Sequence, residues 1–278
     1  MKRLAAWITA LVMALCITSA VSAERSTWYC PTCGAKCNSN FCPNDATPCP
    51  FDEDTKTAPD TRSVFTPGQR VYFGRYEQDN NSWNGDEAIE WIVLAVENDE
   101  ALLISRYGLD LHLFHPYSAN VKWENCELRS WLNSTFLQRA FTSGEQGALV
   151  WRSIPNDART GYEFPAIDNP HPQYGGSTTD RIFLLSYSET QRYFSGPSSL
   201  QCRPTAYAAA KGAKVMSNGY CWWWLRSPGY TYNMAMRINS EGVRVPGDQH
   251  VDNNGKNTGM VRPAMWVNMS RCMDWTGD

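Results

Sequence analysis

The chain has 278 residues, a formal net charge of −3, 42 % hydrophobic and 19 % charged residues, ten cysteines and twelve tryptophans. That balance excludes a disordered or collagen-like chain, and the mild acidity excludes the electrostatic footprint of a nucleic-acid binder. Ten cysteines are many for a cytosolic enzyme and few for a disulfide scaffold, and the length allows one large domain plus a small appendage.

Met1-Lys2-Arg3 makes a basic start, and residues 4–23 carry no charge and end in Val21-Ser22-Ala23, a small-x-small cleavage pattern. This predicts a signal peptide over 1–23 and a secreted or extracytoplasmic (cell-envelope) protein. Twenty uncharged residues approach a bilayer span, so membrane attachment is expected only if the segment stays uncleaved. Leu15 before Cys16 is too bulky for lipoprotein processing.

Residues 24–49 form a cysteine-rich module holding Cys30, Cys33, Cys37, Cys42 and Cys49. CPTCG is a knuckle, two thiolates two residues apart, able to hold half of a tetrahedral zinc site. FCPND is a second knuckle whose last cysteine has become Asp45, so a fourth ligand must come from Asp45, Cys37 or Cys49. The segment resembles short bacterial zinc ribbons, which implies structural zinc at Cys30, Cys33, Cys42, Asp45 and Cys49. Disulfides are the competing reading after an export signal. In either case cross-links must hold a segment too short to bury a core.

Residues 50–63 are acidic and polar without apolar periodicity, a linker, and the main domain spans 64–278. Strands are predicted at 71–76 and 89–98, with a turn at Asn98-Asp99 into a strand over 101–109. Leu128, Trp131, Leu132, Phe136, Leu137, Ala140 and Phe141 recur at helical spacing and predict a helix over 124–142. Residues 155–180 are rich in Pro, Gly, Asn and Asp and predict a long loop. A strand over 181–187 leads into a short helix to Phe194, opened by the capping box Ser186…Glu189. Thr205–Lys211 predicts a helix ended by Gly212. Residues 235–239 and 243–245 predict a second hairpin, 246–259 a polar loop, and 261–267 a closing strand. Strands and helices do not alternate, so the class is α+β.

CWWWLRSPG (221–229) and GMVRPAMWV (259–267) resemble paired signatures of an uncharacterised bacterial exported domain. VYFGRYEQD, the IEWIVL hairpin and WENCELRSWLNSTF are similar to the same family's N-terminal half, so the resemblance covers roughly residues 64–270. Met260 departs from it, standing where glycine is expected, with Gly259 one place earlier; this puts the entry to the strand in doubt. The resemblance implies a C-type-lectin-like (formylglycine-generating-enzyme-like) fold, whose late loops form the ligand surface. Function does not follow from the fold.

Trp222 and Trp224 point to one side of a strand and Trp223 to the other. One face is expected to be core, and an exposed Trp224 is a candidate for stacking on sugar rings. Arg226 and Arg262 suit structural ties to carbonyls, with Arg226 also a ligand candidate. Tyr230, Tyr232, Asn233, Arg237 and Arg244 lie on the late hairpin, and Asp248, His250, Asp252, Asn253, Asn254 and Asn257 in the following polar loop. Calcium is disfavoured there because the spacing matches no EF-hand loop and the EPN and WND motifs of sugar-binding C-type lectins are missing. No catalytic residue is assigned: the four histidines show no metal spacing, and no Gly-rich phosphate loop or GxSxG occurs. Cys126, Cys202, Cys221 and Cys272 allow two disulfides in three pairings.

The expectation is an exported, non-catalytic recognition domain that binds a glycan or cell-envelope protein. The alternatives are a formylglycine-generating-type enzyme working through Cys221 and Cys272, whose Arg-Gly-Gly-Ser run is absent, and a structural envelope protein.

Overall fold

The computed structural model describes residues 28–29, 36–37, 65–156, 175–256 and 259–271. The chain divides into two units, Met1–Thr61 and Arg62–Asp278. In the first, β1 (Trp28–Tyr29) pairs antiparallel with β2 (Lys36–Cys37), Trp28 opposite Cys37. The signal segment 1–23, the linker 50–63, and Cys30, Cys33, Cys42, Asp45 and Cys49 lie outside the described residues.

The second unit mixes short helices with β structure that dominates. In chain order its strands are β3 (Arg70–Tyr76), β4 (Glu87–Glu97), β5 (Glu100–Ser105), β6 (Asp110–Leu111), β7 (Arg152–Ile154), β8 (Thr178–Asp180) and β9 (Ile182–Phe183). There follow β10 (Trp223–Pro228), β11 (Met234–Ile238), β12 (Arg244–His250), β13 (Met260–Val261) and β14 (Ala264–Asn268). One five-stranded sheet has the order β3-β4-β5-β14-β9, the other β12-β11-β10-β13-β6, and β7 pairs with β8 separately.

The first sheet follows from alternation. Val71, Phe73 and Tyr76 of β3 are buried while Arg70, Tyr72 and Arg75 are exposed. The odd step from 73 to 76 is a bulge at Gly74, whose φ of 68° takes up the extra residue and keeps the apolar side facing inward. A Cβ at Gly74 would meet the Phe141 ring at 2.6 Å, so the close approach also demands glycine. Asn98, at φ 55°, makes the turn from β4 to β5. β5 lies at the centre, and Ala101, Leu102, Leu103 and Ile104 are each no more than 1 % exposed, as a strand covered on both faces requires.

The helix predicted over 124–142 is shorter and interrupted. Cys126, with ψ 151°, separates a 3-10 turn at Trp123–Asn125 from the helix starting at Glu127, and its thiol accepts the Arg129 N–H at 3.4 Å as an N-cap. The helical run contains a π turn at Leu132–Phe136. Asn133 in that turn accepts the Ile182 N–H at 3.2 Å and donates to the Ile182 carbonyl at 2.8 Å. Its side chain thereby occupies backbone groups of the edge strand β9.

Three other expectations change. The strand predicted over 181–187 is only Ile182–Phe183, because Ser186 caps a helix at Tyr187–Tyr193. The polar loop predicted from 246 starts later, since β12 runs to His250 opposite Met234. The strand predicted over 261–267 breaks at Arg262-Pro263, and its halves β13 and β14 join different sheets. Proline lacks the N–H a ladder needs; the break is tied instead by Arg262 Nε to the Ser105 carbonyl at 2.9 Å and the Ser105 N–H to the Pro263 carbonyl at 3.0 Å. Met260 is fully buried in β13, opposite both Leu111 and Trp223, so the departure from glycine leaves the strand intact.

Candidate functional site

β10 is the central strand of the second sheet, and all three tryptophans of 222–224 are buried. Trp223 donates its indole N–H to the Leu200 carbonyl at 3.0 Å, and Trp224 donates to the His112 carbonyl at 2.9 Å. The expected exposure of Trp224 is therefore corrected: it is 0 % exposed, with Phe114 on one side and the edge of Trp222 on the other. Trp222, on the same side of the strand, is the outer member of the pair. A Cβ on Gly259 would overlap Trp224 Nε1, so glycine there lets the chain close over the two rings.

Arg226 is likewise no surface ligand. It is 0 % exposed in its side chain and pairs through both Nη atoms with Glu189, at 3.0 Å for Nη2 to Oε1. It also donates to the carbonyls of Leu184 at 2.7 Å and Pro155 at 3.0 Å. A charge carried this far from water needs such a counterion and acceptors.

A cavity of about 580 Å³ opens beside Trp222. Three segments wall it: Lys214 and Met216 after the helix at Ala206–Ala210, the β11–β12 hairpin with Arg237, Asn239, Ser240 and Gln249, and the turn holding Asn253, Asn254 and Lys256. Arg237 lies over the Trp222 ring, 5.6 Å from its centroid, which holds the guanidinium at the wall. Gln249 donates to Asn253 Oδ1 at 2.7 Å, and Asn253 Nδ2 donates to the Lys256 carbonyl, which ties the turn to the strand. Asp252 caps the same turn by accepting the Asn254 N–H at 3.2 Å. Asn254 then takes φ 53°, a left-handed conformation that asparagine tolerates.

Of the sequence-predicted ligand residues, Arg237 and Asn254 line this cavity, while Trp224 and Arg226 are buried and do not line it. Asn233 instead bonds Ser118 at 2.9 Å and His250 at 3.3 Å. Tyr230 is half-buried, Tyr232 is exposed, and neither lines the cavity. Asp248 lies in β12, with its side chain outside the described set. Sequence reasoning placed Asn253 in the polar loop and missed Lys214, Met216, Trp222, Asn239, Ser240, Gln249 and Lys256 as site residues. Trp222 and the asparagine-rich turn carried a visible signal; Lys214 and Met216, in an ordinary polar stretch, carried none.

Cys126, Cys202 and Cys221 are buried free thiols, so the expected disulfides among them are not formed in this structure; Cys272 lies outside the described residues. Cys202 and Cys221 face each other in an isolated antiparallel bridge. Burial pushes the Cys126 thiol up to about 12, and burial with the neighbouring Cys202 pushes Cys221 up to about 11. Thiols held protonated are poor nucleophiles. Among the described residues, Glu77, Asp79 and Glu87 are the group whose oxygens could share a cation, all within 4.8 Å. Those carboxylates already accept N–H groups of their own loop, from Asn81 at 3.1 Å and 2.8 Å and Gln78 at 2.7 Å. No described helix is long and apolar enough to cross a membrane.

No curated protein and no solved structure matches the chain. A family model, Domain of unknown function (DUF6273), matches residues 98–269, a span that contains β5 to β14 and every residue named around the cavity. The chain belongs to this family, the domain of unknown function DUF6273.

Proposed function

We propose that the second unit is a non-catalytic recognition domain of C-type-lectin-like fold, in an exported protein, and that it binds a glycan of the cell envelope in the cavity beside Trp222. The observation that carries this reading is the lining: an aromatic edge, a guanidinium and the amides of Asn239, Gln249, Asn253 and Asn254. Amides offer donors and acceptors together, as sugar hydroxyls require, and the volume falls in the ~300–1,000 Å³ range of small-ligand sites. An envelope protein as ligand is the alternative outcome of the same test.

Zinc held by Cys30, Cys33 and Cys42 with Asp45, Cys37 or Cys49 rests on ligand spacing, and metal analysis with thiol counting tests it. The binding test is a screen of the full chain against glycans and envelope proteins. Saturable glycan binding is expected, weakened at least about tenfold by Ser240→Ala with Asn254→Gly, a pair that keeps the left-handed turn and the Gln249 bond, while the melting temperature holds. Binding only to protein, no binding, or binding indifferent to these substitutions overturns the reading.

A further inference from the structure

We infer that the ligand of this cavity is an N-acetylated amino sugar, that Asn239 and Gln249 read the amide of its acetamido group, and that Met216 and Trp222 meet its methyl; the inference rests on the glycan reading above. The argument is one of hydrogen-bond sense. Asn239 Oδ1 accepts the Glu241 N–H at 3.0 Å and the Val243 N–H at 2.8 Å. Two backbone donors on one atom fix which end of that amide is oxygen, so Nδ2 is the end left over, and it can only donate. Gln249 is fixed by a relay. Asn253 Nδ2 donates to the Lys256 carbonyl, which turns Asn253 Oδ1 toward Gln249, and Gln249 Nε2 donates to that oxygen at 2.7 Å. Gln249 Oε1 is then left over, and it can only accept. Among the described residues no hydrogen bond engages Asn239 Nδ2 or Gln249 Oε1, and both residues line the cavity.

A wall with one donor and one acceptor of fixed sense discriminates between ligands. A sugar hydroxyl turns to give or to accept, so it gains nothing from the fixed sense. A secondary amide holds its carbonyl and its N–H rigidly in one plane, so it gains where donor and acceptor are already set. Here Asn239 suits the carbonyl and Gln249 suits the N–H. The same cavity has an apolar share, because Met216, 44 % exposed, and the largely buried Trp222 also line it. Open apolar area beside polar groups suits a methyl, which a sugar bearing only hydroxyls lacks, and the thioether adapts to its shape.

The experiment uses the full chain and pairs of oligosaccharides of equal length and linkage, in the gluco and galacto series, that differ only in an acetamido group in place of one ring hydroxyl. Calorimetric titration should show an acetamido member bound at least about tenfold tighter than its hydroxyl counterpart. Asn239→Asp keeps the oxygen that accepts the Glu241 and Val243 N–H groups and exchanges the donor for an acceptor, so it should remove most of that preference. Met216→Ser, at an exposed position, should lower the preference about threefold. The readout is a ratio between two sugars, so a variant that weakens both alike does not imitate the effect, and where Asn239→Asp fails to fold, Met216→Ser decides. Equal binding within every pair, or tighter binding of the hydroxyl member, overturns the acetamido inference and leaves the glycan reading standing. A preference that neither variant lowers also overturns it, because Asn239 and Met216 then do not read the group. Binding of no member overturns both.

Discussion

The two five-stranded sheets place their charges differently. In β3-β4-β5-β14-β9 the interior is mostly apolar: Glu90 of β4, 8 % exposed, meets Arg106 and the well-exposed Arg70, and Arg152 meets Glu97 and Glu100 beside the β4–β5 turn. In β12-β11-β10-β13-β6 charge runs through the interior. Arg226 is buried in the central strand, Asp110 is 3 % exposed in β6, and Arg262 is 1 % exposed where β13 leaves for β14, its guanidinium over Trp223 and Phe194. Asp110 accepts the Tyr76 hydroxyl at 2.6 Å and pairs with Lys211. The first sheet is stabilised by area removed from water, which is non-directional. The second depends on named partners; register shifts do not separate the two, since β3–β4 and β4–β5 carry them as β10–β11 and β11–β12 do.

The largest effect should come from removing one such partner. Glu189→Ala leaves Arg226 buried without its counterion and also removes the acceptor of the Ser186 N–H at 2.8 Å, so a loss of about 3–5 kcal/mol is expected in denaturant unfolding. Replacing the pair together, Arg226→Met with Glu189→Leu, should recover only part, because the Leu184 and Pro155 carbonyls lose their donor. Full recovery would mean that the second sheet is as non-directional as the first. In the first sheet, Leu103→Ala at 0 % exposure should cost about 2–5 kcal/mol through a cavity, with no polar group stranded. Gly259→Ala comes next, at about 1–3 kcal/mol by overpacking against Trp224 and Trp222. A shift in tryptophan fluorescence should accompany it, and an unchanged spectrum would show that the rings do not need that close approach.

The same division governs what could be read from the sequence. β3, β4 and β5 are visible because a half-buried or buried strand writes its environment into a short run of residues. The capping box at Ser186 and Glu189 is visible because both partners sit three residues apart, and the structure forms it. The second role of that same Glu189, as counterion to Arg226, is 37 residues away and leaves no local trace. Trp222 and Trp224 have the same period-two position, so pattern alone cannot rank them; the His112 carbonyl, 112 residues from Trp224, decides which is inner. The late hairpin and the polar turn pointed to the region of the candidate site. Its membership depends on Lys214 and Met216 arriving from another segment, and on Asn233 and His250 pairing away from it.

The smallest expected effect per step is the alkaline one, and it separates the sheets by their titrating groups. Among the described residues no thiol lies in a strand of either sheet; Cys126 caps the helix and Cys202 and Cys221 bridge beside the start of β10. Each is raised from an ordinary value of 9.0 chiefly by burial. A thiol whose folded pKa exceeds its unfolded one contributes its full stability below pH 9. That contribution is lost as pH rises toward about 12 for Cys126 and about 11 for Cys221, because the unfolded chain ionises first. The slope is at most about 1.4 kcal/mol per pH unit per thiol. From pH 10 upward Tyr76 of β3 joins, since burial and Asp110 hold its phenol well above the ordinary 10.0. Urea unfolding in the window between pH 9 and 10 should therefore respond to Cys126→Ala by a shallower slope, while Tyr76→Phe changes the slope only above it. Native-state alkylation at pH 8 should be slow at all three thiols and fast once the chain is unfolded. Rapid native alkylation of Cys221 would show that the margin of the second sheet opens locally, and that its directional bonds hold less tightly than the apolar packing of the first.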